Sequence, residues 1–130
     1  MVRIFKGASQ VDPSQPQPKI LVVDDNAENR ALLQATLEDA GYQVVLATNG
    51  DEGIAAFQAE GPDCVLLDVR MPGKDGFVVC EEIRSLPDGA GVPIVFLTAQ
   101  RDIDTFDRAL LAGGDDFLTK PVRPTELVLR

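Results

Sequence analysis

The sequence predicts an α/β fold: a doubly wound, five-stranded parallel sheet with helices on both faces. Three observations predict it. Short apolar runs rich in Val, Ile and Leu take turns with amphipathic segments from residue 19 to the end of the chain. Within each run the residues stay apolar instead of alternating with polar ones, which marks strands buried on both faces. Two of the amphipathic segments stop at glycines, and a third ends near one, as helices commonly do. Strand–helix repetition of this kind implies right-handed crossovers and hence parallel strands.

The elements follow in order. Residues 9–18, SQVDPSQPQP, hold three prolines, three glutamines and two serines. Such a segment buries too little apolar area to fold, so residues 1–18 read as a disordered tail or a linker, with residues 1–8 ambiguous in pattern. The domain is expected over residues 19–130. Residues 20–23 form a strand that ends in Asp24-Asp25, and residues 27–40, carrying Leu32, Leu33, Ala35, Thr36 and Leu37, form a helix stopped by Gly41. Strands at 43–47 and 64–67 bracket a helix at 51–59 that ends near Gly61, and the second of these strands runs into Asp68. A helix at 77–85, a strand at 93–97 ending in Thr98, and a helix at 103–112 closed by Gly113-Gly114 come next. A short strand at 116–119 ends in Lys120, and a fifth helix is expected from Thr125. Only six residues of that helix are present, fewer than an ordinary helix of ~11–12. A longer protein is therefore expected to continue beyond Arg130.

Composition narrows the function. A chain of 130 residues suits one domain and one core. Its formal net charge is −9, with no Lys/Arg cluster, which argues against direct binding of nucleic acid, where phosphate contacts need a basic face. The same charge suits a divalent cation or a partner with a basic surface. The chain has no histidine, and its two cysteines, Cys64 and Cys80, form no C-x-x-C pair. Zinc sites, thioredoxin-like chemistry and Ser-His or Cys-His catalysis therefore lack their residues. Both cysteines read as reduced, buried thiols of a cytoplasmic protein. The N-terminus has no signal-peptide pattern, and no run approaches the ~18 apolar residues of a membrane span.

The chemistry is expected where parallel strands end, at the carboxyl edge of the sheet. Four strands deliver Asp24 and Asp25, Asp68, Thr98 and Lys120 to that edge. Three crowded carboxylates repel one another unless a cation sits among them. Hard oxygen donors in a compact acidic site suit Mg²⁺, with Mn²⁺ as a substitute. Lys120 offers a flexible point charge to a phosphoryl oxygen, and Thr98 offers a hydrogen bond. A carboxylate so placed can attack phosphorus and become an aspartyl phosphate. Taken singly, each residue has a plainer reading. Asp24-Asp25 could cap a helix, Asp68 could serve a turn, Thr98 could cap the next helix, and Lys120 could be solvated. Their joint placement on one edge is what favours chemistry.

These residues lie in segments that resemble the response-regulator receiver domain of two-component signalling. The segments are ILVVDDN at 20–26, VLLDVRMPGKDGF at 65–77, IVFLTA at 94–99 and DDFLTKP at 115–121. The resemblance implies a flavodoxin-like strand order of 2-1-3-4-5, the order known for a chemotaxis member of the same family. It implies that Asp68 is the phosphoacceptor. Asp25 and Asp68 would bind Mg²⁺ through their side chains, Arg70 through its backbone carbonyl, and Asp24 largely through a water. Thr98 and Lys120 would hold the phosphoryl oxygens, and the Lys120–Pro121 bond would be cis. Thr98 and Phe117 would form the switch, although Phe117 stands where the family often has tyrosine and lacks its hydroxyl; its plainer reading is a core phenylalanine. Arg70 and Gln100 would tune the lifetime of the phosphoryl group. Pro72, Gly73, Asp75 and Gly76 would shape the loop after the phosphoacceptor.

The implied partners are a histidine kinase or phosphotransfer protein, and an output domain or protein that reads the face made by the fourth helix, fifth strand and fifth helix. A second copy of the chain is a further candidate, and neither membrane nor nucleic acid is expected. The chain is expected to be a bacterial signalling domain that turns over no separate substrate. The full-length protein could be a regulator with an output domain or a hybrid histidine kinase. Two rival readings are a Mg²⁺-dependent phosphatase working through an aspartyl phosphate and a receiver-like interaction module that is never phosphorylated. The adjacent Asp24-Asp25 pair and the short loops disfavour the first, and the complete residue set disfavours the second.

Overall fold

A computed structural model describes residues 2–3, 17–98, 103–119 and 127–128. Strands β1 (Lys19–Val23), β2 (Gln43–Ala47), β3 (Cys64–Asp68), β4 (Ile94–Thr98) and β5 (Asp116–Thr119) alternate with helices α1 (Ala27–Asp39), α2 (Gly50–Glu60), α3 (Gly76–Arg84) and α4 (Ile103–Leu111). All five strands are parallel, in the order β2-β1-β3-β4-β5. The doubly wound sheet expected from the sequence is therefore present, and its boundaries fall within a residue or two of the periodicity.

Side chains that alternate along the strands build two separate cores. Leu21, Val23, Val65, Leu67, Ile94 and Phe96 pack with Phe57 of α2, with Phe77, Val79, Cys80 and Ile83 of α3, and with Ala109 of α4. Ile20, Val22, Leu66, Val95, Leu97 and Leu118 pack on the opposite face with Leu33 and Leu37 of α1. The central strands β3 and β4 are buried at every position, while the edge strand β2 is only partly covered. That contrast explains why β3 and β4 are unbroken apolar runs: each residue faces one core or the other.

Local chemistry sets the helix starts. Asn26, Asn49 and Asp75 cap α1, α2 and α3, each side chain accepting a backbone N–H three residues on. At α2, the Glu52 carboxylate reaches back to the Thr48 N–H and hydroxyl, at 3.1 and 2.8 Å, closing a reciprocal cap. These hydrogen bonds hold the Glu52 carboxyl below its usual range. Gly61 ends α2 in the left-handed region, at φ 57°, which a side chain would disfavour.

Of the segment expected to start a fifth helix at Thr125, only Leu127 and Val128 are among the described residues, and they lie in a two-residue parallel ladder with Val2 and Arg3. The ladder also places Val2 and Arg3, within the expected N-terminal tail, against the other end of the chain. No helix among the described residues is long and apolar enough to cross a membrane.

Candidate functional site

Asp24, Asp68 and Thr98 follow or end β1, β3 and β4, so the parallel sheet brings them to a single edge. Among the described residues they are the buried polar and charged side chains, with 0%, 3% and 2% of their surface exposed. Burial of that kind is costly unless the groups serve each other or a ligand. One carboxylate oxygen each from Asp24, Asp25 and Asp68 lies within 4.8 Å of the others. Asp25 is exposed at the mouth of the cluster, while Asp24 and Asp68 are buried.

The turn after β1 is fixed from several sides. The Asp24 N–H donates to the Ala47 carbonyl at 3.1 Å, continuing the ladder to β2. Its Oδ1 accepts the Asn26 N–H at 2.9 Å. Arg30, one turn into α1, donates from Nη1 to the Asp24 carbonyl at 2.8 Å. Because Asn26 supplies the cap of α1, neither aspartate is used for it, and the plainer reading of the Asp24-Asp25 pair falls away. Both still lie near the positive end of α1, which favours anions.

The turn after β3 is equally constrained. The Arg70 N–H reaches Asp68 Oδ1 at 3.3 Å, and the Gly76 N–H closes the loop onto the Val69 carbonyl at 2.8 Å. A Cβ on Gly76 would collide with the main-chain carbonyl of Asp68. Glycine at 76 therefore lets α3 start directly against the phosphoacceptor candidate. Lys74, in the same loop, bridges Asp51 of α2 at 3.1 Å and Glu82 of α3 at 3.0 Å. Those two carboxylates, Glu82 foremost, raise the Lys74 ammonium pKa.

Of the residues singled out from the sequence, Asp24, Asp25, Asp68 and Thr98 gather at one edge. Arg70 lies beside them, exposed, and Phe117 is half-buried in β5 against the core that contains Phe96. Gln100, Lys120 and Pro121 lie outside the described residues. Sequence pattern does not mark Arg30 or Lys74. Their only signal there is a cation one helical turn, or one short loop, from an aspartate.

The donor chemistry fits Mg²⁺. All three candidate ligands are carboxylates, and Mg²⁺ prefers hard oxygens at ~2.0–2.1 Å in octahedral geometry. Two ligands opposed across such an ion stand roughly 4.2 Å apart, close to the 4.8 Å spread found here.

The fold and the acidic edge define a receiver domain. Residues 20–130 match the response regulator receiver domain family, and the chain belongs to it. A probable transcriptional regulator ycf27 of Cyanophora paradoxa is 45% identical over 112 residues, covering 86% of this chain and 46% of the regulator. The chain thus spans about half the length of regulators of this kind. The structure of Vibrio cholerae chemotaxis protein CheY4 superimposes with a TM-score of 0.82 at 32% identity, over 85% of this chain and 92% of that one. The receiver domain of sensor histidine kinase PA1611 from Pseudomonas aeruginosa, solved with a magnesium ion coordinated in its active-site cleft, has a TM-score of 0.79 at 34% identity, over 85% and 91% of the two chains.

Proposed function

We propose that this chain is the phosphoacceptor of a cytoplasmic two-component phosphorelay, with Asp68 as the residue that is phosphorylated. One observation carries the reading: the carboxylates of Asp24, Asp25 and Asp68 converge to within 4.8 Å at the edge where Thr98 is buried. Like charges crowded this closely are costly for a merely structural site. The magnesium ion in the similar PA1611 receiver supports the same assignment.

An oxygen of the Asp68 carboxylate attacks the phosphorus of a phosphohistidine on a partner kinase or phosphotransfer protein. The new O–P bond forms as the P–N bond breaks, and the electron pair leaves with the imidazole. Asp25 and Asp68 through their side chains, Arg70 through its backbone carbonyl and Asp24 through a water would hold a Mg²⁺ ion, which would offset the negative charge of carboxylates and phosphoryl oxygens. The Thr98 hydroxyl and Lys120 ammonium take up phosphoryl oxygens. Arg70 and Gln100 flank the phosphoryl group and set its lifetime. The near-dianion then draws Thr98, and the face around α4 and β5 shifts population, with Phe117 moving behind it. An output domain or protein reads that face.

Incubation with acetyl phosphate and Mg²⁺, followed by intact mass, tests the assignment. The wild-type chain should gain one phosphoryl group, and Asp68→Asn should gain none. Uptake that persists in Asp68→Asn, or is absent from the wild type, overturns it. Continuous hydrolysis of a small phosphomonoester would point to the phosphatase reading instead.

A further inference from the structure

Helix α4 is fastened very differently at its C-terminal end and along its body. At the C-terminal end, the Cys80 thiol donates to the Ala112 carbonyl at 3.2 Å in a buried contact. Arg84 holds the Gly113 carbonyl at 2.8 Å and the Asp115 carboxylate at 3.0 Å. Gly113, at φ 94°, makes the turn that follows. The body of α4 touches the loop after Asp68 through Arg108. Its guanidinium lies 4.3 Å from the centre of the Phe77 ring and 3.6 Å from Asp75 Oδ2.

Both partners of Arg108 belong to the start of α3. Asp75 Oδ1 caps that helix through the Val78 N–H at 3.0 Å, leaving Oδ2 for Arg108. The next residue, Gly76, is the one seated against the Asp68 carbonyl. Phe77 packs on Phe96 with ring centres 5.1 Å apart, and Phe96 lies two residues before Thr98 on β4. Arg108 therefore contacts a segment that touches both Asp68 and the strand carrying Thr98.

We propose that Arg108 is a positioning residue: it latches α4 to the Asp75–Phe77 segment and so couples the state of Asp68 to the placement of α4. This rests on the assignment of Asp68 as phosphoacceptor. With its far end pinned by Arg84 and Cys80, α4 turns about Gly113 when the latch lets go. An exposed ion pair and a cation–π contact are weak enough to be released by local rearrangement, as a switch requires. Coupling of this kind is reciprocal, so a partner that displaces Arg108 also changes how readily Asp68 reacts.

The test is a cycle of Arg108→Ala, Asp75→Asn and the double variant, with Arg108→Lys as the conservative control. Asp75→Asn keeps an acceptor for the Val78 N–H and removes only the charge facing Arg108. Two quantities are read. One is amide hydrogen exchange across residues 103–111 in the unmodified protein. The other is the initial rate of phosphoryl uptake from acetyl phosphate with Mg²⁺. Arg108→Ala should speed both roughly two- to fivefold, Asp75→Asn should do so by less, and the double variant should not exceed Arg108→Ala. Arg108→Lys should fall between wild type and Arg108→Ala. Wild-type values for both readouts in Arg108→Ala, or effects that multiply in the double variant, overturn the latch. If the wild type takes up no phosphoryl group, the assignment of Asp68 fails, and the exchange data alone still decide whether Arg108 holds α4.

Discussion

The two edges of the sheet carry different kinds of polar cluster. At the carboxyl edge, three aspartates crowd within 4.8 Å, and two of them are buried. At the amino edge, opposite charges are matched. Arg84 binds the carbonyls of Gly89, Val92 and Gly113 and the carboxylate of Asp115, and that carboxylate also accepts the Ile94 N–H at 2.8 Å. Lys19 does the same on a smaller scale, with its N–H on Asp63 at 2.8 Å and its ammonium on Glu60 at 3.2 Å. One edge ties strand starts and helix ends together through paired charges, and the other gathers carboxylates in a cluster that could hold a metal ion. Such a division lets the reactive edge change charge without unfolding the domain.

Breaking the amino edge should have the largest effect. The Arg84 side chain is 18% exposed, and removing it takes away the donor shared by the carbonyls of Gly89, Val92 and Gly113. Arg84→Ala should cost about 3 kcal/mol, read as a lower urea midpoint, while the folded fraction still takes phosphoryl on Asp68. A loss of phosphoryl uptake as large as in Asp68→Asn would erase the distinction between the edges.

The buried thiols give a pH test of the same stabilising network. Burial pushes Cys64 up to about 12 and Cys80 up to about 11, from an ordinary value of 9.0. Ionisation therefore favours the unfolded chain once pH rises past 9.0, and the stability held by the protonated thiols is lost as pH climbs through about 11 and about 12. Below pH 9.0 the contribution is complete. Urea midpoints measured from roughly pH 8 to pH 11 should fall in the wild type and fall less steeply in Cys80→Ala. Equal slopes would mean that the Cys80 thiol of α3 is not held as its contact with Ala112 requires.

The smallest effect is expected at the carboxyl edge, and its sign is reversed. Asp25→Asn removes one of three like charges, so without metal the variant should match or exceed the wild type in stability, by up to ~1 kcal/mol. Added Mg²⁺ should raise the thermal midpoint of the wild type by mass action and leave Asp25→Asn nearly unmoved. A Mg²⁺ response that survives in Asp25→Asn would remove this residue from the ligand set.

Much of the carboxyl edge is legible in the sequence, because strand ends are local features. Asp68 and Thr98 sit where unbroken apolar runs stop, and a parallel sheet aligns such stops. The amino edge is not legible in this way. Arg84 looks like an ordinary charged residue at the end of an amphipathic helix, yet it binds groups 5 to 31 residues away. Arg108 has the same character: its partners, Asp75 and Phe77, belong to another helix start, and no periodicity links them. The short apolar stretch at Leu127 and Val128 is ambiguous in sequence, because such a stretch fits a helix or a strand equally well. Its pairing with Val2 and Arg3 is a contact between distant parts of the chain.

The sequence by itself determined the order of strands and helices along the chain and the aspartates that end the strands. Both depend on hydrophobic period over a few residues. Only the tertiary structure decided that three carboxylates meet, that Gly76 must lie against Asp68, and that one arginine pins the end of α4 while another, Arg108 within it, reaches the start of α3. Those facts depend on crossovers that bring residues far apart in the chain within a few ångströms, and such distances are set by packing the two faces of the sheet.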